Sequence, residues 1–144
     1  MTEFRPRLFH SDAEIERIGE RLLARSLPRR EWTHEAHLAA TTYLVAERPD
    51  IDLDAELPGI IRRYNESVGG RNTDTEGYHE TITRVFLGAV RAHAAETGGH
   101  DLRDRVNALL LSDRGRRDWP LRFYSPERLF SVEARLSFVA PDLS

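Results

Sequence analysis

Apolar residues recur at intervals of three and four along most of the chain and show no convincing strand-like alternation, so the pattern predicts an all-α fold. The first such stretch opens at a capping box, Ser11-Asp12-Ala13-Glu14. Ile15, Ile18 and Leu22 then fall on one helical face beside Leu23, and Pro28 closes the helix. Thr33 is the expected N-cap of a second helix running to about Arg48, ahead of Pro49. Its inward face would carry His34, His37, Thr41 and Leu44, with Leu38 and Val45 flanking. In the third helix Leu57, Ile60, Ile61, Tyr64 and Val68 share a face; Pro58 marks its first turn and Gly69-Gly70 its end. The fourth, from about Glu76 to Glu96 with Thr75 or Asp74 as cap, has the strongest stripe: Tyr78, Ile82, Val85, Phe86, Ala89, Val90 and His93.

Asp101 caps a fifth helix with Leu102, Val106, Leu109 and Leu110, and Asp118-Trp119-Pro120 reads as a loop. Ser125-Pro126-Glu127 is a helix start, a cap followed by proline at the first position, and Ser131 can cap a further short helix through Leu136. The expectation is one domain over residues 1–144, a bundle of five or six helices.

Composition narrows the chemistry. With no cysteine, disulfides, thiolate catalysis and cysteine-bound metals are excluded. All 21 basic residues are arginine, so neither a lysine Schiff base nor a P-loop lysine can form. A net charge of −3 gives no basic field for nucleic acid. The N-terminus carries no apolar signal core, and no apolar run reaches the roughly 20 residues of a membrane span, so a cytoplasmic location is expected.

Three histidines then stand out. In Trp32-Thr33-His34-Glu35-Ala36-His37-Leu38, two residues separate the histidines where the zinc-protease motif H-E-x-x-H has three, so that motif is absent. The spacing still places both imidazoles on one helical face, at the positive end of the helix dipole, which favours the neutral, ligating form. The plainer reading has Trp32 packing back over the first turn, on His37 or Leu38. His79, one turn into the expected fourth helix, is either a core histidine bonded to a hydroxyl such as Tyr64 or Thr41, or a third ligand facing His34 and His37. Three imidazoles with an open position would suit zinc, iron, nickel or copper. Asn72, Asp74, Glu76 and Gly77 half-match a calcium loop, but its twelfth position is Thr83 instead of a bidentate acid, so calcium is rejected.

Around this centre Tyr64 and Tyr78 are candidate catalytic groups, and Trp32, Asn65, Asn72 and Thr83 candidate substrate contacts, in a pocket between bundle helices. Arginine clusters such as Arg29-Arg30 and Arg62-Arg63 read as solvated faces, though one could hold a substrate carboxylate. Together, W-T-H-E-A-H-L, Y-N-E-S-V-G, N-T-D-T-E-G-Y-H-E-T-I-T and S-P-E-R-L-F-S-V-E-A-R resemble a family of uncharacterised small bacterial proteins. The resemblance implies a complete domain and brings no activity, cofactor or ligand with it. The leading expectation is a small metal-dependent enzyme with His34, His37 and His79 as ligands, acting on a small molecule. The alternatives are a metal-free His/Tyr acid–base enzyme and a non-catalytic binding or interaction module with structural histidines. An exposed apolar patch would mark a homodimer.

Overall fold

The computed structural model describes residues 5–143. Among them every regular element is helical: α1 (Asp12–Ala24), α2 (His34–Glu47), α3 (Leu53–Ser67), α4 (Glu80–Glu96), α5 (Leu102–Leu111), α6 (Pro126–Leu129) and α7 (Val132–Leu136). Single 3-10 turns lie at Arg29–Glu31, Asp113–Gly115 and Trp119–Arg122. The all-α expectation holds. The count exceeds five or six because the last stretch is two separate helices, one capped by Ser125 and the other by Ser131.

α2 is the axis of the fold, packed against α1, α4 and α5. The expected inward stripe is only part of what it buries. Ala36, Ala39 and Ala40 are as enclosed as Leu38 and Leu44, and these small side chains let neighbouring helices approach from several sides. Thr41 and Thr42 sit in the same core because their hydroxyls donate to the His37 and Leu38 carbonyls at 2.8 Å, leaving no orphaned polar atom.

Three helix boundaries differ from expectation, each for a local reason. α1 ends before Pro28, where Arg25 turns left-handed (φ 60°) and the Ser26 N–H donates back to the Arg21 carbonyl at 2.9 Å. α3 begins at Leu53 under an Asp52 cap, which places Pro58 inside the helix. The carbonyl that proline strips of its partner belongs to Asp54, and it accepts instead from Arg84 Nη2 at 3.0 Å. α4 starts at Glu80, four residues late, because neither Thr75 nor Asp74 caps it. Its cap is His79, whose Nδ1 accepts from the Ile82 N–H at 3.1 Å.

That cap joins α4 to the C-terminal segment, where Tyr124, Leu129, Ala134 and Val139 form a second small core against Ile82 and Val85. Thr81 Oγ1 donates to the Ser137 carbonyl (3.1 Å) and accepts from the Val139 N–H (3.2 Å), and the Tyr124 hydroxyl donates to the Val139 carbonyl at 2.6 Å. Phe130, Val132, Leu136 and Phe138 remain exposed on this segment. Among the described residues no helix is long and apolar enough to cross a membrane.

Candidate functional site

The N-terminal ends of α2 and α4 meet the C-terminal half of α3 around a cavity of about 250 Å³. Its wall contains Trp32, His34, His37, Asn65, Tyr78, His79 and Thr83, seven of the nine residues singled out from sequence, together with Thr33, Ile61 and Gly77. Beside it lies a larger cleft of about 670 Å³, and Trp32, Asn65 and Gly77 border both.

Local sequence explains how this wall is held. Thr33 caps α2 by accepting from the Ala36 N–H (3.1 Å), which puts Trp32 just outside the first turn. The Trp32 indole meets the His37 ring edge-on, with centroids 5.4 Å apart, as the packing reading of Trp32 anticipated. Its other neighbour is the Tyr64 ring, at 5.3 Å. Asn72 ties the loop before α4 to α3. Its Nδ2 donates to the Arg62 carbonyl (3.0 Å), while its Oδ1 accepts from Asn65 Nδ2 and from the Tyr78 N–H, both at 3.1 Å. Asn72 is therefore a staple behind the wall and does not line the cavity. Gly77 turns the same loop at φ 77°, and a Cβ there would stand 2.1 Å from the Arg71 carbonyl oxygen.

The three histidines have different occupations. His79 uses both ring nitrogens: Nδ1 accepts the cap hydrogen bond, so Nε2 carries the proton, and it donates to the Leu129 carbonyl at 2.8 Å. Burial pushes its pKa down, against the pull of that carbonyl, and Arg135 adds to the fall. His34 donates from Nε2 to the Gly115 carbonyl at 2.8 Å, with Phe86 edge-on at 5.3 Å; burial again holds its pKa low. His37 is unlike both. No described residue hydrogen-bonds its ring. Desolvation, followed by the nearby His34, lowers its pKa from 6.5 to about 4, so at neutral pH it is an uncharged imidazole in the cavity wall.

This occupation bears on the expected metal centre. Among the described residues no three His, Cys, Asp or Glu side chains are grouped to hold an ion. The expected third ligand does not fit, because His79 has no lone pair left once it caps α4 and faces Leu129. Its partners also differ from the anticipated hydroxyls of Tyr64 and Thr41: they are a backbone N–H and a carbonyl.

The tyrosines are likewise committed. Tyr64 lies fully buried behind the wall and donates to the Leu27 carbonyl at 2.9 Å. Tyr78 lines the cavity, but its hydroxyl donates to Glu80 Oε1 at 2.5 Å, and Arg62 lies over its ring at 4.7 Å. Burial first, then Glu80, raises its pKa, so the phenol keeps its proton. Neither tyrosine is a free acid aimed into the cavity, and the expected His/Tyr pair is not assembled.

Sequence reasoning missed Thr33, Ile61 and Gly77 in the cavity wall, and Arg71 and Arg135 in the cleft. The glycine had a legible signal, a polar loop that must turn back on itself. Arg135 had none, since only the folding of α7 onto the loop brings it here. Comparisons with protein-family models, with curated proteins and with solved structures gave no match.

Proposed function

We propose that this chain is a small-molecule-binding domain in which the ligand enters the histidine cavity and bonds to His37. The observation that carries this reading is the contrast among the three imidazoles. Two are tied to carbonyls of the fold, while the third lines the cavity and, among the described residues, has no hydrogen-bond partner for its ring. A neutral imidazole offers one donor and one acceptor, enough to orient a polar ligand between Trp32, Ile61 and Thr83. At about 30 Å³ per water-sized group, the cavity accommodates roughly eight such groups.

Binding is favoured over acid–base catalysis for two reasons. A base whose conjugate acid has a pKa of about 4 is weak at neutral pH, and Glu80 holds the nearest phenolic proton. A three-histidine centre would require His79 to give up the cap of α4 to free the lone pair on Nδ1.

The test is a fragment screen by amide and indole NMR of the labelled chain. Binders should shift the Trp32 indole and Gly77 amide signals, and His37→Gln should weaken them by about tenfold, the value of one hydrogen bond to a buried polar group. Binders that ignore the cavity, or that bind His37→Gln equally well, would overturn the reading.

A further inference from the structure

We propose that the larger cleft is an anion subsite, in which Arg29, Arg71 and Arg135 take the carboxylate or phosphate of a ligand whose uncharged body lies against His37. This deepens the small-molecule reading and rests on it. The cleft and the cavity share Trp32, Asn65 and Gly77, so one molecule can occupy both. The cleft wall carries three arginines against a single carboxylate, Glu76, whereas the chain as a whole has a net charge of −3. The local excess is thus opposite in sign to the overall charge.

The pairing of arginines elsewhere sharpens this contrast. Arg48 sits on Glu20 and Asp50, Arg84 and Arg91 share Asp54, and Arg114 grips Glu96 through both of its terminal nitrogens. Arg29 and Arg71 have no carboxylate partner among the described residues, although both line a concave surface. Arg135 is half-buried and fixed in place. Its Nη1 donates to the Gly77 carbonyl at 2.8 Å and reaches the Tyr78 carbonyl at 3.5 Å, on the loop that borders both spaces, and among the described residues its Nε and Nη2 have no acceptor. Gly69, Gly70 and Gly77 contribute wall without side chains, which keeps the space between these cations open.

The three arginines come from the turn before α2, the loop after α3, and α7. Guanidinium forks match the planar oxygens of a carboxylate or phosphate and are suited to hold either.

Titrations of the labelled chain with benzoate, phenyl phosphate and neutral benzamide test this, followed at the Gly70, Arg71 and Gly77 amides and the Trp32 indole. At least one anion should bind about tenfold tighter than benzamide, as expected for a hydrogen-bonded charge. The tighter of the two identifies the anion as carboxylate or phosphate. Arg29→Gln/Arg71→Gln, which removes two exposed side chains without a carboxylate partner among the described residues, should bring that anion to the affinity of benzamide and leave benzamide binding unchanged. If both anions bind no better than benzamide, or bind the double variant undiminished, the anion subsite falls while the small-molecule pocket stands. If none of the three probes shifts Trp32 or Gly77, both readings fall.

Discussion

Replacing His37 by glutamine should remove a defined part of this protein's sensitivity to acid. In the folded chain the His37 ring resists protonation down to about pH 4, because burial and His34 disfavour the charged form. In the unfolded chain it titrates near its ordinary value of about 6.5. Between these values the unfolded state binds more protons, so stability rises with pH across the window and is lost as pH falls through it. Near pH 5 the difference approaches one proton, a slope of about 1.2 kcal/mol per pH unit. Integrated from neutral pH to pH 5, the His37 contribution is about 2 kcal/mol, reaching about 3 kcal/mol near pH 4. Glutamine preserves a polar side chain of similar size and cannot titrate. Urea unfolding followed by circular dichroism, at pH 7 and pH 5, gives the free energies for both chains. The wild type should lose about 2 kcal/mol more than His37→Gln over that interval. His34, His79 and His93 are also held low, but they titrate in both chains and cancel in the comparison. Equal losses would show that His37 protonates freely in the folded state, and the account of a neutral imidazole in the cavity would be refuted.

Other substitutions probe the supports around that ring. Gly77→Ala forces a left-handed residue and a Cβ 2.1 Å from the Arg71 carbonyl oxygen; a loss of about 1–3 kcal/mol in urea unfolding is expected, and a change under about 0.5 would contradict this geometry. His79→Asn keeps a good N-cap and gives up the bond to Leu129. Hydrogen exchange in α6 and α7 should quicken while α4 is unchanged, and zinc uptake should not fall. Loss of one zinc per chain in this variant would reinstate His79 as a ligand. Tyr64→Phe leaves the Leu27 carbonyl unpaired in the core and should cost about 1–3 kcal/mol. It should not alter fragment binding at Trp32, and a binding defect would place Tyr64 in the site after all.

The two tyrosines show where reading a sequence for function reaches its limit. Tyr64 and Tyr78 both fall on apolar stripes with a hydroxyl to spare, and each is a reasonable acid in that light. What separates them is the partner. Tyr64 meets a carbonyl 37 residues away, and Tyr78 a carboxylate two residues on. The arginines follow the same logic: Arg29 sits in a cluster visible in the sequence, yet that it forms no ion pair with a carboxylate among the described residues is a statement about distances between separate segments.

The chain by itself determined its helical class and the caps at Ser11, Thr33, Asp101, Ser125 and Ser131. These depend on period and on hydrogen bonds within a few residues, which are local properties. The tertiary structure decided that His79 caps α4, that a proline is tolerated inside α3, and that one histidine of three has no hydrogen-bond partner for its ring among the described residues. Each of those outcomes turns on a partner distant in sequence: Leu129 for His79, Arg84 for the carbonyl that Pro58 leaves open, and Gly115 for His34. A buried polar atom takes whichever complement the packed chain brings within about 3 Å, and spacing along the sequence carries no record of that choice.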